Sequence, residues 1–118
     1  MNLLQLAIFA YLQQNALGRG NAKNSDTIFT VMVQQGLPVI AGRTQEHVRA
    51  AIRSMIKDHS QLIGTESGFT PPNGYYIIQN KDEAIQTIMD LVGRSKSMLD
   101  RVHALRTEWN RQNPTNAI

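Results

Sequence analysis

The chain has 118 residues, 42% of them hydrophobic, which is enough for one domain with a single core and too little for two. Its formal net charge of +3 favours a negatively charged partner, but Lys and Arg do not form the dense blocks of a nucleic-acid-binding tail. The absence of cysteine excludes disulfides, thiol nucleophiles and thiolate metal sites, and it fits the cytoplasmic location predicted here.

The first predicted element is an amphipathic helix over residues 3–14. Leu4, Ile8 and Leu12 share one helical face, and Gln5 interrupts the apolar run, which is atypical of a signal peptide. The polar stretch ALGRGNAKNS that follows is predicted to be a loop. No stretch of the sequence approaches the roughly 20 apolar residues of a membrane-spanning helix, so no membrane association is expected.

A second helix is predicted over the stretch SDTIFTVMVQQG. Ser25 is its candidate N-cap, and Gly36 is the candidate residue that ends it. The β-branched residues of this stretch also permit a strand, and the sequence leaves that alternative open. After a short connection, Thr44 is predicted to cap a third helix over residues 44–58.

The third helix has an apolar stripe and a polar face. The stripe is formed by Val48, Ala51, Ile52, Met55 and Ile56. Gln45, Arg49 and Arg53 follow one another at four-residue intervals on a separate face. That face is either simply solvated, because Arg and Gln are good helix formers, or it reads a DNA groove, where Arg pairs with guanine and Gln with adenine. Spacing alone favours the solvated alternative.

Two short strands are predicted next, over QLIGT and GYYIIQN, with the loop ESGFTPPN between them. The glycines and prolines of that loop suit neither a helix nor a central strand. A long helix is then predicted over residues 81–112, with Asn80 and Glu83 as a variant of the capping box. Residues 113–118 are predicted to be a disordered tail.

The long helix carries a stripe whose positions alternate in steps of three and four residues. These positions are Ile85, Ile88, Val92, Ser95, Leu99, Val102, Arg106 and Trp109, flanked by Ala84, Leu91, Met98 and Leu105. Such a stripe is too wide for a solitary solvated helix, so the part beyond Gly93 is predicted to form a coiled coil with a second copy. The predicted dimer contacts are Val92, Met98, Leu99, Val102, Leu105 and Trp109. The alternative is a helix that packs only within its own chain.

Three groups of residues resemble a known family. A Val-Arg pair lies inside the third helix, a Gly-Tyr-Tyr triplet ends the hairpin, and a Glu-containing helix start leads into the last helix. The matching residues are Val48 and Arg49, Gly74, Tyr75 and Tyr76, and residues 80–84. With the order helix, helix, helix, hairpin, helix, the chain is similar over residues 40–106 to small winged helix-turn-helix proteins of tailed bacteriophages.

The resemblance implies a mainly α fold with a small β-hairpin (α+β), built as a winged helix-turn-helix domain over residues 1–80 followed by the long C-terminal helix. It also implies a double-stranded DNA-binding protein, either a phage-type transcriptional regulator or an accessory factor in DNA transactions. The third helix would read the major groove in a homodimer, inside the cytoplasm of a bacterial host. The predicted DNA contacts on and before this helix are Arg43, Thr44, Gln45, Arg49, Arg53 and Lys57.

The predicted wing departs from this pattern. A wing that contacts phosphate normally presents Lys or Arg, whereas this one presents Ser67, Thr70 and Asn73. These are the predicted wing contacts, through hydroxyl, amide or backbone groups. Phe69 and the neighbouring prolines are interpreted as loop packing, with a partner-binding tip as the alternative.

The polar wing and the small net charge leave a second function open. In that alternative, the fold serves as a protein-binding module, a phage-encoded inhibitor of a host nucleic-acid or defence complex. No enzyme activity, cofactor or metal site is predicted, because His47, His59 and His103 lie on separate segments. The stretch GRGNAK also lacks the frame of a phosphate-binding loop.

Overall fold

The computed structural model of the chain describes residues 1–37, 44–68 and 70–118. In these residues the protein is mainly helical with a small two-stranded antiparallel sheet, which confirms the predicted α+β class. In chain order the elements are α1 (Leu3–Asn15), a 3-10 turn (Arg19–Asn21), α2 (Ser25–Gln34), α3 (Thr44–His59), β1 (Ile63–Glu66), β2 (Gly74–Ile77) and α4 (Lys81–Gln112). The chain divides into two compact units, Met1–Ile85 and Gln86–Ile118, so the division falls within α4.

The ends of α2 are set by local hydrogen bonds. Asn24 is its N-cap, because the side-chain oxygen of Asn24 accepts a hydrogen bond from the Thr27 amide at 2.8 Å. The prediction of Ser25 was therefore wrong by one residue; Asn and Ser are comparable N-caps, so the sequence could not choose between neighbours. Gly36, with a φ of 70°, ends the helix as predicted. The amides of Gly36 and Leu37 donate to carbonyls in the last turn at 3.0 and 3.1 Å.

The polar segment between α1 and α2 was predicted to be a loop, but two parts of it pair with the second edge of β2. Lys23 and Tyr75 exchange two backbone hydrogen bonds of 2.8 Å, and the Gly18 amide donates to the Ile77 carbonyl at 2.9 Å. Gly74, with a φ of 109°, lies so close to Lys23 that a side chain there would overlap the Lys23 carbonyl. These contacts use main-chain groups, so they leave no side-chain pattern from which to predict them.

The capping residues of α4 also form hydrogen bonds with segments outside the helix. The Asn80 side chain accepts a hydrogen bond from the Glu83 amide at 2.9 Å, which confirms Asn80 as a cap. The Glu83 carboxylate does not complete the predicted box. It accepts hydrogen bonds from the amides of Gln79 at 2.8 Å and Arg19 at 2.7 Å, and so ties the 3-10 turn to the start of α4.

The core of the first unit is shared by all three of its leading helices and by both strands. Its buried apolar residues are Leu4, Ile8, Leu12, Ala16, Ala22, Ile28, Met32, Val48, Ile52, Met55, Ile63 and Tyr76. Within α3, Val48, Ile52 and Met55 are completely buried, as the stripe predicted. Ile56 is 36% exposed, so the buried face of α3 is narrower than predicted. The buried Gln5 amide donates to the Ala51 carbonyl at 3.2 Å and links α1 to this helix.

The second unit consists of α4 from Gln86 onward and the residues that follow this helix. Every side chain from residue 91 to residue 109 is exposed. Residues 113–118, predicted to be a disordered tail, turn back and bond to the end of α4. The Trp109 indole donates to the Asn116 carbonyl at 2.8 Å, and the Asn110 side chain accepts from the Ile118 amide at 2.9 Å. Among the residues that the structure describes, none of the helices has the length and apolar content needed to cross a membrane.

The contrast between Ile52 and Ile56 gives a test of this core. Ile52→Ala removes a fully buried side chain and should lower the free energy of unfolding by about 2–5 kcal/mol. Ile56→Ala changes the same residue type on the same helix at an exposed position and should cost less than about 1 kcal/mol. Urea denaturation followed by circular dichroism measures both. Equal losses for the two variants would contradict the observed orientation of α3.

Candidate nucleic-acid interface

The burial of Val48, Ile52 and Met55 turns the other side of α3 to solvent. Arg53 lies there with 65% of its side chain exposed, and Arg49 with 44%. Lys57, one turn further along, is also exposed. The structure therefore places three of the predicted DNA contacts on the surface of one helix. We call Arg49, Arg53 and Lys57 the basic stripe.

Gln45 is held differently from the basic stripe. Its side-chain oxygen accepts hydrogen bonds from the Ser25 hydroxyl at 3.2 Å and from Arg49 Nη2 at 2.9 Å. Its side-chain nitrogen donates to the Asp26 carboxylate. Both ends of the amide are thus engaged within the protein, and the side chain joins the start of α3 to the first turn of α2. Gln45 was predicted as a DNA contact, and the structure gives it a positioning role.

Glu46 is the residue near the basic stripe that the sequence prediction did not use. Its carboxylate accepts a hydrogen bond from Arg53 Nη2 at 2.7 Å and lies 3.7 Å from Arg49 Nη1. The hydrogen bond and positive charge of Arg53 lower the pKa of Glu46, and the same contact raises the pKa of Arg53. Glu46 and Arg49 are three residues apart, a spacing from which their proximity could have been predicted, whereas Arg53 lies two turns beyond Glu46.

Two predicted contacts cannot be placed. Arg43 lies outside the described residues, and the same is true of the Thr44 side chain. Phe69, which was interpreted as loop packing, also lies outside the described residues.

The hairpin loop presents polar groups. Ser67 and Thr70 are exposed, whereas Asn73 is half-buried and its amide donates to the Gly68 carbonyl at 2.9 Å. Of the three predicted wing contacts, the structure thus gives Asn73 a role in closing the loop. An open cleft of about 400 Å³ lies between this loop and the start of α2, with Lys23, Thr27 and Asn73 in its lining.

Glu66, at the loop end of β1, has a cationic partner. Glu66 accepts a hydrogen bond from Arg19 Nε, and this bond lowers the pKa of Glu66. Arg19 lies on the 3-10 turn, 47 residues away in the chain. Sequence reasoning missed this pair because neither residue belongs to a local pattern. Its effect is to offset the negative charge of Glu66 beside the hairpin loop.

The predicted dimer contacts on α4 are all exposed in the second unit. Their exposed fractions range from 46% for Val102 and Trp109 to 74% for Leu105. Exposed apolar side chains are common singly, but a continuous row of them along a helix indicates an interaction surface.

In the part of the chain that the structure describes, no group of three His, Asp or Glu side chains could hold a metal ion. No protein-family profile matches this chain, and neither a curated protein nor a solved structure matches it. The function must therefore be argued from the residues themselves.

Gln45, which positions α3, and Lys57, which is exposed on its surface, should differ in how much they contribute to the free energy of unfolding. Gln45→Ala removes the hydrogen bonds that join α3 to Ser25 and Asp26, and should lower the free energy of unfolding by about 0.5–1.5 kcal/mol. Lys57→Ala, an exposed change on the same helix, should stay within about 0.5 kcal/mol. Chemical denaturation of both variants makes the comparison. A Gln45→Ala protein as stable as the wild type would contradict the positioning role, and Gln45 stays among the predicted DNA contacts in either case.

Proposed function

We propose that the protein binds double-stranded DNA, as a transcriptional regulator or an accessory factor of phage DNA transactions, with α3 in the major groove. The observation that carries the proposal is the basic stripe: Arg49, Arg53 and Lys57 project from a helix whose opposite side is locked in the core. A groove-reading helix needs such rigid backing, because the positions of its side chains relative to the bases depend on it.

We propose the winged helix-turn-helix as the fold of the first unit. The order of α1, α2, α3 and the β1–β2 hairpin supports it, and so does the pairing of Lys23 with Tyr75, which adds a short edge to the hairpin. One feature departs from the simplest form of the motif. Residues 35–43 separate α2 from α3, whereas a helix-turn-helix usually has a turn of about three or four residues.

Glu46 gives the proposal a mechanism. In the free protein its carboxylate holds Arg53 and offsets part of the charge of Arg49. Arg53 must exchange this carboxylate for a phosphate or base acceptor when it contacts DNA. Phosphate is available on any sequence, so the exchange discourages binding that depends on charge alone. A DNA contact that also satisfies Arg49 compensates better for the broken pair, and Glu46 thereby favours cognate over random DNA.

The proposed complex is a homodimer with α3 of each copy in one half-site. Near the hairpin, Lys23 supplies a basic group that the predicted wing lacks. Gel shift of the purified protein on a phage promoter fragment and on random duplex, at two salt concentrations, tests the function. Affinity that falls steeply with salt supports DNA binding. Absence of a shift at low salt would favour the protein-binding module instead.

Arg49 and Arg53 are expected to make different DNA contacts. Arg49 is nearer the start of α3 and is followed by Ala50, so it can approach a base edge; Arg49→Ala should lose about 1–3 kcal/mol of discrimination between cognate and scrambled duplex. Arg53 is expected to contact phosphate, so Arg53→Ala should weaken binding to both duplexes alike and reduce the salt slope by about one. Salt-titrated binding isotherms measure both.

Arg111→Ala on α4 is a matched control, because it removes the same charge from another exposed helix and should leave the discrimination unchanged. Denaturant midpoints close to that of the wild type would show that the α3 variants remain folded. If Arg49→Ala and Arg53→Ala both bind cognate DNA like the wild type, α3 is not the reading element.

Removing the charge of Glu46 is expected to increase DNA binding, whereas the arginine substitutions are expected to reduce it. Glu46→Gln keeps the shape of the side chain but removes its charge, and should raise affinity several-fold, more for random than for cognate duplex. Glu108→Gln is the control, since Glu108 forms a similar ion pair with Arg111 on α4 at 2.5 Å. An equal gain from both variants would point to overall charge and contradict a local role of Glu46.

A further inference from the structure

The exposed part of α4 has two unlike flanks beside its central stripe. The central positions that alternate in steps of three and four residues are Val92, Ser95, Leu99, Val102, Arg106 and Trp109. On one flank the row spaced by seven is apolar, and it consists of Leu91, Met98 and Leu105. On the other flank the corresponding row is polar: Lys96 and His103 are exposed, and Asn110 is half-buried and bonded to the backbone of Ile118. A partner for this surface must match both flanks.

A second copy in parallel orientation does not match them. Parallel pairing places one flank of each helix against the opposite flank of the other, so Leu91 would meet Lys96 and Met98 would meet His103. It also places each central residue against its own counterpart. Arg106 would then face Arg106 of the second copy at the centre of the pair, where like charges are costly.

Antiparallel pairing matches both flanks and the central residues. The apolar flank of each helix then meets the same flank of the other, and the polar flank meets the polar flank. The central residues pair across the helices in layers, and one register places Arg106 opposite Ser95 of the second copy. In that register Val92 lies opposite Trp109, and Leu99 opposite Val102. A shift of one heptad would instead place Arg106 against Ile88 and Ser95 against Leu99, leaving polar groups against apolar ones.

We propose that α4 pairs antiparallel with α4 of a second copy, in the register that places Arg106 opposite Ser95. The self-complementarity of the surface points to a second copy as the occupant, because in this register Arg106 faces the other polar central residue and each flank meets its like. The inference rests on the homodimer in the proposed function and does not require DNA. A failure of DNA binding therefore leaves its test intact.

The chain contains no cysteine, so introduced cysteines report their own neighbours. Full-length Ser95→Cys and Arg106→Cys proteins, carrying tags of different size, are oxidised separately and as a mixture. A disulfide needs Cα atoms within about 7 Å, which helices packed in this register bring about only between unlike variants. The expected result is a covalent dimer of mixed size in the mixture and a large loss of that product in either variant alone.

Cross-linking of either variant with itself would establish parallel pairing and overturn the proposal. Preferential cross-linking of Ser95→Cys with Leu99→Cys would establish the other register and overturn it as well. Val92→Cys with Trp109→Cys tests the same register at a second layer, should Arg106→Cys lose helix content. Absence of a cross-link from both pairs, in proteins whose circular dichroism matches the wild type, also overturns the proposal.

Sedimentation equilibrium without DNA gives an independent measurement. Leu99→Ala truncates a central residue in both copies and should raise the dimer dissociation constant by at least about 100-fold. Ser97→Ala, on the outer side of the same turn, is the matched control and should leave the constant unchanged. A wild type that is monomeric at high micromolar concentration would overturn the dimer itself, while gel shift on DNA reports separately on the proposed function.

Discussion

The burial of Val48, Ile52 and Met55 is the constraint on which the proposed interface depends. Removing three large apolar side chains from water fixes the rotation of α3 about its axis, because a different rotation would expose them at about 1.5–3 kcal/mol each. Once that rotation is fixed, the side chains of Arg49 and Arg53 must lie on the solvent-exposed side of α3. The bond network of Gln45 with Ser25 and Asp26 adds a polar restraint at the start of the helix, where the apolar contacts end.

The sequence predicted the helices well because their apolar residues repeat at helical spacing, on the buried face of α3 and in the exposed stripe of α4. It did not predict the pairing of Lys23 with Tyr75, because backbone hydrogen bonds can form with almost any side chains. The Arg19–Glu66 pair was missed for a related reason: only the folded chain brings its members together. In the candidate site, the outward position of Arg49 followed from periodicity, whereas the role of Gln45 depended on a contact with α2.

The polar residues of the site therefore divide by what they contact. Gln45 and Asn73 have side-chain amides of the kind that contact DNA. In the structure both amides donate to acceptors within the protein and stabilise the local backbone. Glu46 looks unfavourable beside DNA, yet it orders Arg53 before any partner arrives. An arginine held in one orientation loses less conformational entropy on binding than a free one, although it must first leave its carboxylate. In the proposed complex the broken ion pair outweighs the saved entropy on random DNA, and this is why Glu46 is expected to favour selectivity.

In the proposed dimer, polar residues within the α4 stripe determine which orientation of the two helices is favoured. A stripe of Leu and Val alone would pair in either orientation, because apolar contacts carry little directional information. Ser95 and Arg106 reduce the strength of the surface but penalise any arrangement that buries the arginine against itself or against an aliphatic residue. Parallel and antiparallel pairs of identical helices are both two-fold symmetric, so symmetry alone does not distinguish them. The distinction comes from which side chains face each other, and Arg106 is the residue whose neighbours differ most between the two arrangements.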